Sequence, residues 1–225
     1  MYLFDIDGTL LLTGGVGTRS INHIFEERFG VPGVMESVLP GGKTDKMIFQ
    51  ECARNGLERE LSEDEFEELI AAYIPLMEEG LEESEGFHLM PFVRECLDFL
   101  AQSQELMGIA TGNVAAAAAA KLRRAGLQKH FQFGGYGCDS PVRSELVAAA
   151  IERGIALDAA KRAKHFVVVG DTVYDIEAAQ ACGARVVAVA TGHVAKDSLA
   201  AAKPDALLST LEELPAWHRS HFAIE

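Results

Sequence analysis

The stretch YLFDIDGTL, residues 2–10, sets two carboxylates at the end of an apolar run. Tyr2, Leu3, Phe4 and Ile6 suit a short interior strand, and Leu10 to Leu12 resume the apolar pattern. Side chains at i and i+2 of a strand share a face, so Asp5 and Asp7 would repel each other there. Carboxylates buried without partners are strongly disfavoured. Gly8 and Thr9 supply a turn just beyond. Two readings follow. One is a strand-end turn carrying two solvated aspartates. The other is a divalent cation, which turns crowded carboxylates from a liability into ligands.

Further apolar strand patterns recur along the chain. They span Leu106 to Gly112 (LMGIATG), His165 to Asp171 (HFVVVGD) and Arg185 to Gly192 (RVVAVATG), with a weaker run from Asp205 to Ser209. HFQFGG, from His130, suggests another short strand. Helical patterns separate them. Pro91 opens one with Phe92, Val93, Cys96, Leu97 and Leu100 on a face. NVAAAAAAKLRRAG ends at Gly126, a good residue just past a helix. Leu146, Val147, Ala150 and Ile151 mark a further helix, closed by Gly154. Buried strands alternating with helices predict an α/β fold: a Rossmann-like parallel sheet with helices on both faces.

Residues 14–86 hold no convincing strand. Ile21, Ile24, Phe25 and Phe29 form one helical stripe; Met47, Ile48 and Cys52 form a second, with Thr44 as N-cap. Ser62 and Glu65 make a capping box before Phe66, Leu69, Ile70 and Tyr73. Pro75 is expected to kink or divide that helix. A helical domain, residues 15–86, is therefore inserted after the first strand of a core made of residues 1–14 and 87–225. Gly14, Gly15, Gly17 and Gly86 stand near its borders, as hinges or merely as turns.

Composition narrows the classes. The chain has 225 residues, 48% hydrophobic and 24% charged, an ordinary soluble balance. A net charge of −14 and the lack of a basic stripe argue against nucleic acid. No run reaches the roughly 18 apolar residues of a membrane helix. Cys52, Cys96, Cys138 and Cys182 are far apart and fit no zinc spacing, so reduced thiols are expected. With no signal peptide visible, the expectation is a cytoplasmic protein. A monomer or homodimer is expected.

In open parallel sheets, ligands bind beyond the carboxyl ends of the strands. Here those ends carry Asp5 and Asp7; Thr111, Gly112 and Asn113; and Asp171 and Asp175. Asp5, Asp7 and Asp171 offer oxygens suited to Mg²⁺. Thr111 offers a hydroxyl, and the backbone N–H groups of Gly112 and Asn113 at a helix N-terminus suit an anion. A carboxylate can attack phosphorus to give an aspartyl phosphate, provided a metal removes the repulsion between the two anions.

DIDGT at Asp5, ATGN at Thr111 and VVVGDTVYD at Asp171 resemble motifs I, II and IV of the haloacid dehalogenase superfamily, in order and across nearly the whole chain. The nearest likeness is to the phosphoglycolate phosphatase-like hydrolases, and the helical insert resembles that superfamily's C1 cap. The resemblance implies that Asp5 is the nucleophile and Asp7 the general acid/base. It implies that Asp5, the backbone carbonyl of Asp7 and Asp171 bind Mg²⁺, that Asp175 supports the metal, and that Thr111 binds the phosphoryl group. The motif III lysine is missing. An ungapped alignment of GCDSPVRSELVAAA puts Ser140 at its position, with Ser140 and Pro141 as N-cap and first helical residue. Arg143, in the first turn, is the nearest cation; it either grips the phosphate or is a surface arginine. Lys121 and Lys164 read as a helix-surface residue and a loop residue. In the insert, GGKTD (residues 41–45) reads as a substrate-facing loop. Lys43 and Thr44 belong to it, and Lys43 is either a substrate contact or an exposed loop lysine.

The expected activity is Mg²⁺-dependent hydrolysis of a small phosphorylated metabolite. A sugar phosphomutase of the same superfamily and a non-catalytic phospho-ligand binder are the alternatives. A dehalogenase would lack the second aspartate and the metal site. A phosphonatase would lack an acid at position 7 and need a Schiff-base lysine in the insert, a role open to Lys43.

Overall fold

A computed structural model describes residues 1–157 and 165–222. The chain starts in β1 (Tyr2–Phe4) and turns through Gly8 into β2 (Leu11–Thr13). Three α-helices follow, α1 (Val16–Phe29), α2 (Asp45–Leu57) and α3 (Glu63–Glu83), and then β3 (Phe87–Leu89). Beyond them come α4 (Val93–Gln102), β4 (Met107–Ala110), α5 (Ala115–Ala125), β5 (Gly134–Gly135) and α6 (Arg143–Leu157). The chain continues through β6 (Val167–Gly170), α7 (Val173–Ala181), β7 (Arg185–Val189), α8 (Lys196–Ala201), β8 (Ala206–Leu208) and α9 (Leu214–Phe222).

Six strands form one parallel sheet in the order β5-β4-β1-β6-β7-β8. Tyr2–Phe4 pairs with Met107–Ile109 on one side and with Val167–Val169 on the other. Alternation along these strands sorts side chains between two layers. Tyr2, Phe4, Ile109, Val167 and Val169 pack with α4, α5 and α9. Leu3, Ala110, Val168 and Val186 pack with α6, α7 and α8. Both faces are covered, which is why the strands read as continuous apolar runs.

The helical insertion has its own cluster, built from Phe25, Phe49, Leu69, Tyr73 and Met77. Val114, Ala117 and Ala120 at the start of α5 belong to that cluster, whereas Ala118, Leu122 and Ala125 face the sheet. The alanine run therefore gives one helix two narrow faces, one for each cluster. The Ser62–Glu65 capping box and the Thr44 N-cap both form.

One ladder at the border of the insertion carries no signal in the sequence, and two expectations need correction. β2 and β3 form a small antiparallel ladder, Leu11 opposite Leu89 and Thr13 opposite Phe87. Three-residue strands are too short to show a period in sequence. Beside the ladder a Cβ on Gly14 would come within 2.7 Å of the Gly86 backbone, so the two borders of the insertion cross at glycines. α3 runs through Pro75 rather than dividing, with Tyr73 and Met77 buried on either side. The strand expected at His130 is a 3₁₀ turn (Gln128–His130) followed by only Gly134–Gly135. No helix among the described residues is long and apolar enough to cross a membrane.

Candidate active site

Loops from the carboxyl ends of β1, β4, β6 and β7 meet above the sheet. Asp5 continues β1, its N–H donating to the Val169 carbonyl at 2.9 Å. Asp171 follows β6, and Asp175 sits in the first turn of α7. All three are buried, and each brings a carboxylate oxygen within 4.8 Å of the other two. The Thr9 hydroxyl donates to Asp171 Oδ1 at 2.8 Å. Asp171 lies so close over Gly8 and Gly192 that neither has room for a Cβ. The Thr191 hydroxyl, donating to the Gly8 carbonyl at 2.7 Å, ties the β7 loop to the β1 turn.

A cation stands among these acids. Arg143 is the first residue of α6, two positions later than the expected helix start. Its Nη2 lies 3.1 Å from Asp5 Oδ1 and 2.6 Å from Asp175 Oδ1. Its Nε donates to Asp175 Oδ1 at 3.0 Å, and its Nη1 donates to the Gly42 carbonyl at 3.2 Å. Ser140, at the position of the missing lysine, instead accepts from the Val142 N–H and donates to Glu145. The other oxygen of Asp175 accepts from the Thr172 N–H and hydroxyl at 3.0 and 2.7 Å.

Burial pushes Asp5 well above the usual carboxylate range, and the charges of Asp175 and Asp7 add to this; Arg143 opposes it. Asp171 is raised too, by burial and then by Asp5 and Asp175. Burial would lower Arg143, but Asp175 and Asp5 outweigh it and hold the guanidinium protonated. Two carboxyls that resist ionising side by side form a donor set suited to a hard divalent cation. The residues present fit Mg²⁺: Asp5 and Asp171 would hold it, with Asp175 committed to Arg143 and Thr172 as their support.

The Asp7 side chain takes no part in that triad. It turns to α5, where Lys121 Nζ lies 2.8 and 2.6 Å from its two oxygens. Asn113 Nδ2 donates to Asp7 Oδ2 at 3.0 Å. Lys121 is thus a buried partner of Asp7, not the helix-surface residue expected. The signal was there: a lone lysine in a run of alanines that pack on both sides. Lys164 lies outside the described residues. Thr111 is buried at the end of β4, and the Asn113 N–H points back to its hydroxyl at 3.4 Å. The Asn113 amide donor is committed to Asp7, while its Oδ1 is buried with no hydrogen-bond partner among the described residues.

The GGKTD loop lies over this site, through different atoms than expected. Lys43 Nζ pairs with Glu51 at 2.5 Å within the insertion, and Thr44 is a buried N-cap of α2. The next residue, unremarked in the sequence, makes the closer link. The Asp45 N–H donates to the Gly112 carbonyl at 2.8 Å, and Asp45 Oδ2 accepts from the Val114 N–H at 2.7 Å. Burial raises Asp45 to about 6 against the pull of Lys121 and that N–H. A carboxylate from the insertion thus caps the start of α5, the expected anion site.

The family model for haloacid dehalogenase-like hydrolases matches residues 2–189. The chain belongs to this family. A phosphoglycolate phosphatase from Nitrosococcus oceani is 25% identical over 221 residues, covering 95% of this chain and 94% of its own. Among solved structures, a hydrolase from Pseudomonas syringae superposes with a TM-score of 0.72 at 19% identity, covering 99% of both chains. A candidate β-phosphoglucomutase from Bacteroides vulgatus superposes at 0.69 with 19% identity, covering 96% of this chain and 86% of that one. The six-stranded parallel sheet and its flanking helices are the fold this chain shares with these solved structures.

Proposed function

We propose that this haloacid dehalogenase-like hydrolase is a Mg²⁺-dependent phosphatase of small phosphomonoesters, acting through an aspartyl phosphate on Asp5. The observation that carries the reading is the placement of Arg143 between Asp5 and Asp175, beside Asp171. A phosphate dianion arriving at Asp5 would meet a fixed guanidinium and a metal-suited acid pair. The kinship with the N. oceani phosphoglycolate phosphatase points the same way.

Asp5 and Asp171 would hold Mg²⁺, which when bound would neutralise charge between the phosphate and the Asp5 carboxylate. Arg143 stabilises the charge that spreads over the phosphoryl oxygens in transfer. The Thr111 hydroxyl and the Gly112 N–H bind the phosphoryl group from the β4 side, while the Asn113 N–H stays turned to the Thr111 hydroxyl. A carboxylate oxygen of Asp5 attacks phosphorus; the bond to the ester oxygen breaks, and that oxygen takes a proton from Asp7. Asp7 then accepts a proton from water, whose oxygen forms the new bond to phosphorus. The bond to Asp5 breaks and inorganic phosphate leaves, so each group returns to its starting state. The helical insertion, residues 15–86, acts as a cap that excludes water and selects the leaving group.

The test is phosphate release from a panel of phosphomonoesters headed by phosphoglycolate, with Mg²⁺ and with EDTA, by the wild type and Asp5→Asn. Metal-dependent release that Asp5→Asn abolishes is expected. An isomerised sugar phosphate in place of free phosphate would make it a phosphomutase. Binding of phosphate with no turnover of any compound would make it a binding protein.

A further inference from the structure

We infer that Lys121 is a positioning residue: it aims the carboxylate of Asp7, the acid/base of the proposed reaction, on whose reading this inference rests. The backbone of Asp7 is already held, by its bridge to Leu11 and by the Gly8 N–H donating to the Leu11 carbonyl at 2.9 Å. Only the side-chain torsions remain to decide where the two oxygens point. The Asp7 side chain is 39% exposed, so its carboxylate could rotate in solvent; the Lys121 side chain is 7% exposed and touches both oxygens. Asn113 adds a second donor to one of them. Two fixed donors, Lys121 on α5 and Asn113 just before it, leave the carboxylate one orientation.

The lysine has no packing reason to be there. Its neighbours Ala117, Ala118, Ala120 and Leu122 fill two apolar interfaces. An ammonium buried among them without a carboxylate would be costly. It is also not a displaced motif III lysine, because Arg143 holds the position beside Asp5 and Lys121 reaches Asp7 alone of the two. Because Val114, Ala117 and Ala120 anchor α5 in the insertion's cluster, the aim of Asp7 is set by the helix on which the insertion rests. A reacting group misdirected by even an ångström loses much of its effectiveness.

The experiment is a double-mutant cycle on p-nitrophenyl phosphate with Mg²⁺: wild type, Lys121→Met, Asp7→Asn and the double variant. Lys121→Gln and Lys121→Arg run alongside, each variant checked for folding by circular dichroism. Lys121→Met should lower kcat by about tenfold or more with KM within about threefold, and Lys121→Arg should recover part of the loss. In the Asp7→Asn background the same change should move kcat by less than about threefold, because the group it positions is gone. Losses that multiply across the cycle would mean a general structural role and overturn the inference. Wild-type kcat in folded Lys121→Met or Lys121→Gln would overturn it as well. Asp5→Asn separates the two levels. If the wild type turns over and Asp5→Asn does not, an additive cycle defeats only the role of Lys121. If the wild type hydrolyses nothing, the phosphatase reading fails and takes this inference with it.

Discussion

Arg143 reaches Asp5 across the site, Nη2 to Oδ1 at 3.1 Å, while the same nitrogen holds Asp175 Oδ1 at 2.6 Å. One side chain therefore links the proposed nucleophile to the acidic start of α7. Arginine does so from the first residue of α6, where its longer, forked head spans what a lysine one turn earlier would reach.

Removing that head should cost catalysis more than folding. Arg143→Ala should lower kcat by about 10² to 10³, the usual loss of one preorganised donor to a developing oxyanion. Arg143→Lys should fall between, since an ammonium supplies charge without the fork. Steady-state kinetics on p-nitrophenyl phosphate check this, and wild-type kcat in Arg143→Ala would place the phosphate elsewhere.

The acid triad predicts how stability depends on pH. Asp5 and Asp171 keep their protons in the native state well above the ordinary value of 3.8. Between that value and neutrality the folded chain binds more protons than the unfolded one, so their contribution falls as pH rises. In EDTA the melting temperature should therefore decline between about pH 5 and about pH 8. Millimolar Mg²⁺ should raise it, and most at the alkaline end, because binding favours the ionised carboxylates. Thermal melts with and without the metal across this range provide the measurement. A Mg²⁺ effect that grows toward acid pH would contradict the assignment.

Asp45 fastens the insertion to the β4 loop. Asp45→Ala strands the Val114 N–H and should cost about 1–3 kcal/mol. At this chain length each kcal/mol lowers the melting temperature by about 2–4 °C. Asp45→Asn keeps an acceptor and should cost less, the more so above pH 6, where ionising Asp45 itself opposes folding. Differential scanning calorimetry of the two variants, side by side, decides whether this clasp bears weight.

The strand ends were legible because a buried parallel strand leaves a strong apolar signature, and Asp5 and Asp171 stand directly after such runs, with Asp175 four residues beyond the second. Arg143 was legible as the nearest cation to a gap in a pattern. The partners of Asp7 were not. Lys121 lies 114 residues away in sequence, and a helical lysine usually reads as a solvated face. Only the folding of the insertion onto α5 buries it. Asp45 was hidden for the same reason: its partners, Gly112 and Val114, belong to another segment, and no periodicity links them. Lys43, the more conspicuous residue of that loop, is taken by Glu51.

In the proposed reaction Asp5 carries the phosphoryl group. Rapid acid quench during turnover of p-nitrophenyl phosphate, followed by borohydride reduction and peptide mass spectrometry, reads this directly. Conversion of Asp5 to homoserine in the peptide that spans residues 2–10, dependent on substrate and Mg²⁺, is expected. Turnover with an unmodified Asp5, or with the reduced acyl phosphate at Asp7, Asp171 or any other residue, would contradict it.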